Sequence, residues 1–245
     1  MFRPDRKVDL IKAVFFDWSN TLARYVPSRE ELQSQALGEF GFSITPTEIA
    51  PGIALADRYL IEEGAASPVR LRSREEQGKV FARYEQMVFD NAGVKMPVGS
   101  EIFTRFIARL NELYRNLEFA LYDDVLPTLK NLKKRGLILA LVTNVDADMD
   151  YILNDTGLSA FLDFIVTSGD VGYAKPNPEI FLAALKKAGV AAGEALHVGD
   201  QYDIDVLGAK AAGIMPVLLD RKDIFSDVID CERVQSLVEL ARYVR

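Results

Sequence analysis

The chain has 245 residues, 49% of them hydrophobic, so it can bury a substantial core and is not intrinsically disordered. Its net charge of −7 argues against a nucleic-acid partner bound through a basic face. One cysteine, Cys231, excludes an intrachain disulfide and fits a reducing compartment. Neither a membrane span nor a signal peptide is recognisable, so we expect a cytoplasmic protein with no membrane partner.

Five short apolar runs, each bounded by turn residues, predict strands that are covered on both faces. They lie at residues 11–17, 137–143, 163–168, 195–199 and 215–219. Stretches with helical periodicity precede or separate the later runs, at residues 125–134, 146–158, 177–188 and 203–212. This alternation predicts an α/β fold, a Rossmann-like, doubly wound parallel sheet.

The alternation breaks between the first two runs, where residues 24–118 intervene. A segment of this length is too long for a single crossover connection. Four stretches within it have helical periodicity, at residues 29–40, 46–63, 74–91 and 101–117. The sequence therefore predicts two domains, an α/β core of residues 1–23 and 119–245 and an inserted all-helical domain of residues 24–118.

Polar side chains follow four of the predicted strands, at the edge where open α/β sheets bind ligands. The first run ends in Asp17, the second in Thr143 and the fourth in Asp200, while Lys175 follows the third. Each alone is commonly a helix cap or a solvated charge, but four at successive strand ends rarely converge by chance. Because Asp17 and Asp200 would repel each other, the sequence predicts a cation between them, either Lys175 or a divalent ion.

In this order, these residues resemble the four motifs of the haloacid dehalogenase-like (HAD) hydrolase superfamily. The resemblance covers the whole predicted core, and the inserted segment resembles the helical cap that many members carry after the first motif. The matching segments are Asp17 with Thr21, Thr143, residues 174–181 (AKPNPEIF), and residues 198–200 followed by Asp205.

The resemblance implies a hydrolase that acts on a small, anionic, phosphorylated metabolite through an aspartyl intermediate. Asp17 would be the nucleophile. Thr143, Asn144 and Lys175 would bind the substrate, and Lys175 would also keep Asp17 ionised. No partner beyond the substrate is implied, and both a monomer and a homodimer remain open.

The resemblance also implies a Mg²⁺ cofactor, an ion that prefers a few hard oxygen ligands. Asp17, the backbone carbonyl of Ser19 and Asp200 would hold it, with Asp205 behind them. The ion would let the anionic nucleophile approach an anionic phosphoryl group.

Ser19 departs from the pattern of the family's phosphatases, which carry a second aspartate at this position. That aspartate protonates the leaving oxygen, and a serine hydroxyl is not an effective acid near neutral pH. General acid–base catalysis contributes about 10²–10⁴-fold to a reaction rate, so the loss of this aspartate should slow the reaction. The leaving group then needs no proton, another residue supplies one, or the protein is slow or inactive.

Three alternatives to a phosphatase remain open, and two of them are branches of the superfamily that also lack the second acid. Asp17-Trp18-Ser19 resembles the first motif of the phosphonatases, but these use a cap lysine, and the inserted segment offers only Lys79 and Lys95. The 2-haloacid dehalogenases need no metal, so Asp200 and Asp205 argue against them. The third alternative is a protein that binds a phosphorylated ligand with little activity.

Two lesser candidates complete the set. His197, the only histidine, is interpreted as a core or strand-edge residue rather than a catalyst. Arg70, Arg72 and Arg74 could hold a second anionic group of the substrate, although a solvated run of charge is the simpler interpretation.

Overall fold

The computed structural model describes residues 10–66, 69, 72–115, 118–144, 149–221, 223, 225–226 and 228–244. The described chain divides into two compact units. One is built from the residues up to Arg24 together with those from Phe119 onward, and the other from Tyr25 to Glu118.

The described residues form eight strands. In chain order they are β1 (Ala13–Phe16), β2 (Ala23–Val26), β3 (Glu118–Leu121), β4 (Ile138–Thr143), β5 (Phe164–Thr167), β6 (Ala195–Gly199), β7 (Met215–Leu219) and β8 (Glu232–Val234). Six of them make one sheet in the order β5-β4-β1-β6-β7-β8, in which every neighbouring pair is parallel. The order runs outward from β1 in both directions, which confirms the predicted doubly wound α/β fold.

Helices occupy most of the remaining described chain. They are α1 (Arg29–Glu39), α2 (Pro46–Ala66), α3 (Arg74–Ala92), α4 (Glu101–Tyr114), α5 (Val125–Lys134), α6 (Met149–Asp155), α7 (Ser168–Val171), α8 (Pro178–Ala188) and α9 (Leu207–Ala211). The predicted helix over residues 203–212 is instead a π-helical turn, Tyr202–Val206, followed by α9. The first three residues of the predicted helix over 146–158 lie outside the described residues. Its described part, α6, begins at Met149 and ends at Asp155.

The sheet carries apolar side chains on both faces, which explains why its strands read as continuous apolar runs. Along β1, Val14 and Phe16 belong to one buried cluster, whereas Ala13 and Phe15 belong to the cluster on the opposite face. All four side chains are fully buried. Because β1 is apolar and buried along its whole length, the first polar side chain that can contribute to a site is Asp17, which follows it.

Helices α1 to α4 surround a separate apolar core, in which Phe89 packs edge-to-face against Phe106 with ring centroids 5.2 Å apart. Helices α2 and α3 approach closely at Gly52, where an added Cβ would lie 2.8 Å from the Val88 carbonyl oxygen. Ser28 caps α1 by accepting a hydrogen bond from the backbone N–H of Glu31.

Strands β2 and β3 pair with each other in a small second sheet. They lie where the chain passes from one unit to the other and back. The sequence analysis did not predict them, because each has only four residues and is partly exposed. In the part of the chain that the structure describes, no helix is both long and apolar enough for a bilayer.

Candidate active site

Asp17 lies directly after β1, at the centre of the carboxyl edge of the sheet. Its backbone N–H donates to the Val198 carbonyl at 2.9 Å, which extends the pairing with β6 by one residue. The chain then turns sharply, because the N–H groups of Leu22 and Ala23 both donate to the Trp18 carbonyl at 3.0 Å. This turn contains Ser19, two residues after the buried Asp17, and a backbone bridge between Ser19 and Ala23 closes it.

Lys175 joins two of the predicted acids. Its Nζ donates to Asp17 Oδ1 at 2.5 Å and to Asp205 Oδ1 at 2.7 Å, and the side chain is only 2% exposed. Asn144, which follows β4, fixes the backbone of this lysine. Its Oδ1 accepts from the Lys175 N–H at 2.7 Å and its Nδ2 donates to the Lys175 carbonyl at 3.0 Å. Asn144 therefore positions the lysine, and a contact between Asn144 and the substrate stays a prediction.

Asp205 lies in the π-helical turn after β6, and both of its carboxylate oxygens have hydrogen-bond partners. Lys175 Nζ and His197 Nε2 both lie within hydrogen-bond distance of Oδ1, the latter at 2.9 Å, and the Gln201 N–H donates to Oδ2 at 3.2 Å. The carboxylate lies directly against the backbone of Gly199. An added Cβ there would come within 2.1 Å of Asp205 Cγ, so only glycine admits this carboxylate.

Asp17, Asp200 and Asp205 form one acidic cluster, each with a carboxylate oxygen within 4.8 Å of the others. Asp200 Oδ1 is shielded from solvent and has no hydrogen-bond partner among the described residues. Three carboxylates around one ammonium leave an excess of negative charge, which a divalent cation with a preference for oxygen would balance. The residues present therefore fit the Mg²⁺ that the family implies.

The pKa values of the acidic cluster reflect this crowding. Burial raises the pKa of Asp17 to about 6, against the opposing effect of Lys175. Burial and the charges of Asp17 and Asp205 raise the pKa of Asp200 well above its ordinary range. Asp205 differs, because Lys175 and His197 outweigh its burial and lower its pKa. Burial lowers the pKa of His197, so the imidazole is neutral near pH 7.

The remaining candidates divide between the two units. Thr143 ends β4 at the same edge of the sheet and is buried. Arg72, in the helical unit, pairs with Glu63 at 2.7 Å, and Arg70 lies outside the described residues. The sequence analysis missed the contact between His197 and Asp205. A usable signal was the spacing of His197 and Gly199, which are two residues apart on β6, so the His197 side chain lies on the face where an added Cβ at Gly199 would meet Asp205.

The parallel sheet and the carboxylates at its edge define a doubly wound α/β protein with a candidate cation site. A model of the haloacid dehalogenase-like hydrolases matches residues 11–213, so the chain belongs to that family and is a hydrolase. This confirms the predicted family.

Three known proteins illustrate the similarity. The haloacid dehalogenase-like hydrolase domain-containing protein 3 of Danio rerio is 30% identical over 218 residues, 87% of this chain and 86% of the relative. The glyceraldehyde 3-phosphate phosphatase of Methanopyrus kandleri is 30% identical over 220 residues, 86% of this chain and 85% of the relative. A crystal structure of a HAD phosphatase from Thermococcus onnurineus superposes with a TM-score of 0.56 at 26% identity, and the match covers 95% of this chain and 97% of that one.

Proposed function

We propose that the chain is a Mg²⁺-dependent phosphohydrolase that transfers the phosphoryl group of a small metabolite to Asp17 and then to water. The observation that carries this proposal is the buried contact between Lys175 Nζ and Asp17 Oδ1 beside the two other carboxylates. The similarity to a glyceraldehyde 3-phosphate phosphatase supports a phosphorylated substrate.

In the first step, a carboxylate oxygen of Asp17 attacks phosphorus, and the bond between phosphorus and the leaving oxygen breaks. Lys175 compensates the charge on the phosphoryl oxygens, and the Thr143 hydroxyl donates to one of them. In the second step, water hydrolyses the aspartyl phosphate, which releases phosphate and restores Asp17. Bound Mg²⁺, held by Asp17, Asp200 and the Ser19 carbonyl, would supply the positive charge that lets two anions meet.

Ser19 narrows the choice of substrate within this proposal. Its hydroxyl is a poor acid, so the leaving oxygen receives no efficient protonation from this position. Leaving groups that are stable as anions need no such help. We therefore expect acyl phosphates and aryl phosphates to react faster than alkyl phosphates such as sugar phosphates.

Ser19 also favours a second candidate, a 2-haloacid dehalogenase, because halide leaves without a proton. Asp200 opposes this candidate, since its carboxylate would repel the carboxylate of a haloacid. A phosphonatase would need a reactive lysine in the helical unit. Lys79 instead lies exposed and pairs with Glu75 at 2.6 Å, and Lys95 is also exposed.

We assign the helical unit the role of a cap that selects the substrate and excludes water, as the family resemblance implies. A cytoplasmic location and a monomeric or homodimeric state complete the proposal and rest on the sequence alone.

The test is phosphate release from acetyl phosphate, p-nitrophenyl phosphate and a set of sugar phosphates, with Mg²⁺ or with EDTA. We expect release that requires Mg²⁺ and is abolished in Asp17→Asn. Release in EDTA, or by Asp17→Asn, would contradict the proposed mechanism. Halide release from 2-chloropropionate without metal would favour the dehalogenase, and binding of phosphate without turnover would favour the non-catalytic alternative.

Metal binding is tested separately from turnover, by thermal unfolding with and without Mg²⁺. A ligand at 100 times its Kd stabilises the folded state by about 2.7 kcal/mol. We expect this stabilisation in the unaltered chain and its loss in Asp200→Asn. Asp203→Asn is the matched control, because Asp203 lies three residues further on and outside the acidic cluster. Equal stabilisation of both variants would place the ion elsewhere.

A further inference from the structure

His197 is fully buried inside β6, yet it reaches the acidic cluster. Its Nε2 lies 2.9 Å from Asp205 Oδ1. The ring packs edge-to-face against Phe181, with centroids 4.9 Å apart and an interplanar angle of 85°. The other ring nitrogen, Nδ1, is buried and has no partner in the part of the chain that the structure describes.

These contacts define the state of the imidazole. The Asp205 carboxylate also accepts from Lys175, so it is ionised and can only accept hydrogen bonds. Nε2 of His197 must therefore carry a hydrogen and donate it. A hydrogen on Nδ1 as well would be a buried donor without an acceptor, which is unfavourable. The geometry thus selects the neutral ring with its hydrogen on Nε2.

We infer that His197 is a positioning residue, which holds the Asp205 carboxylate in the orientation that directs Lys175 toward Asp17. Asp205 Oδ1 lies between the two donors, the ammonium of Lys175 and the imidazole of His197. Without the imidazole, only the ammonium would constrain that oxygen. The carboxylate could then turn about its remaining anchor, the hydrogen bond from the Gln201 N–H to Oδ2, and Lys175 would follow Oδ1 away from Asp17. This inference rests on the function proposed above.

Two substitutions separate positioning from packing. His197→Leu keeps an apolar side chain in the space beside Phe181 but removes the donor. His197→Gln restores a donor, because its amide nitrogen lies about as far from the backbone as Nε2 does. A residue needed only for packing would tolerate leucine at least as well as glutamine.

The first measurement is kcat and KM for acetyl phosphate with saturating Mg²⁺. We expect His197→Leu to lower kcat by about 10- to 100-fold, the change in rate that corresponds to one hydrogen bond to a charged group. KM should change much less, and His197→Gln should recover most of kcat. In an Asp205→Asn background, His197→Leu should have little further effect, because both changes disrupt the same contact.

The second measurement does not need turnover. Because His197 is the only histidine, nitrogen-15 NMR of labelled imidazole reports a single ring. We expect hydrogen on Nε2 and none on Nδ1 at pH 7.5, and a displaced Nε2 resonance in Asp205→Asn.

A ring that carries its hydrogen on Nδ1, or that does not respond to Asp205→Asn, would overturn the inference. So would equal kcat for the leucine and glutamine variants, or additive losses in the double variant. If the unaltered chain releases no phosphate, the proposed function fails, and the imidazole spectrum alone decides whether His197 holds Asp205.

Discussion

The buried Glu85 should make the free energy of unfolding of the helical unit depend on pH. It lies on α3 in the helical unit and is only 7% exposed. Gln33 Nε2 lies 3.2 Å and 3.0 Å from its two carboxylate oxygens. Gln33 Oε1 is buried and has no partner within the described chain. Burial raises the pKa of Glu85 to about 7.

The effect on stability follows from the two protonation states. Below the ordinary pKa of 4.5, Glu85 is protonated in both the folded and the unfolded chain and adds no pH dependence. Between 4.5 and about 7, only the unfolded chain loses the proton, so folding becomes less favourable as the pH rises. Each pKa unit corresponds to about 1.4 kcal/mol, so ionised Glu85 destabilises the helical unit by roughly 3 kcal/mol at pH 8.

Glu85→Gln removes the charge and keeps the size, and its amide oxygen can still accept a hydrogen bond from Gln33 Nε2. We expect the variant to be more stable than the unaltered chain by about 2–3 kcal/mol at pH 8, and to differ little at pH 4.5. The assay is urea unfolding followed by far-UV circular dichroism at both pH values. Fluorescence of Trp18, the only tryptophan, reports the α/β unit separately.

The control is Glu62→Gln, an exposed glutamate on α2 of the same unit, which should change stability little at either pH. If Glu85→Gln lowered stability at pH 8, or changed it equally at both pH values, the pKa of Glu85 would not be raised in the folded state and the reasoning would be wrong.

Two further substitutions probe the α/β unit. Gly199→Ala should destabilise the chain by about 1–3 kcal/mol in urea unfolding and lower Mg²⁺-dependent turnover, because its Cβ would collide with Asp205. Its control is Gly78→Ala, on α3 of the helical unit. An added Cβ at Gly78 meets nothing within 4 Å, so this change should stabilise the chain by about 0.5–1 kcal/mol. Arg221 donates to both oxygens of Asp124 and to the Thr21 carbonyl, each at 2.9 Å, so Arg221→Lys should lose about 1–3 kcal/mol in the same assay at pH 7. Although burial opposes it, Arg221 lowers the pKa of Asp124, so the loss should shrink as the pH falls through that pKa, and a loss independent of pH would argue against the ion pair.

The parallel sheet was predictable because its strands are apolar on both faces. Five of its six strands lie within the predicted runs. The exception is β8, which has three residues, begins with Glu232 and includes Arg233, so it presents no apolar run. Short strands at a sheet edge depend on backbone pairing more than on side-chain pattern, and this dependence hid β8 from sequence analysis.

The candidate site was predictable to a lesser degree. The convergence of Asp17, Lys175 and Asp205 follows from the rule that ligands bind at the carboxyl ends of parallel strands. The role of Asn144 was hidden because its contact with Lys175 joins positions that neither periodicity nor motif relates, whereas the alternation along β6 was an unused signal for the contact of His197. The π-helical turn was equally hidden, since a regular helical period does not show where one extra residue is inserted.

The acidic cluster itself bears on the choice between a catalyst and a binding protein. Asp17, Asp200 and Asp205 each place a carboxylate oxygen within 4.8 Å of the others, and Asp17 and Asp205 are buried. Burial of like charges opposes folding unless a cation compensates them. A protein that merely held a phosphate ester would be better served by positive charge alone, because each carboxylate repels the ligand. Lys175 is committed to two of these carboxylates and leaves the third without a cation. The cluster therefore repels an anionic ligand unless a metal ion is present. Such an arrangement suits a reaction in which Asp17 must approach phosphorus, so it favours phosphoryl transfer over binding alone.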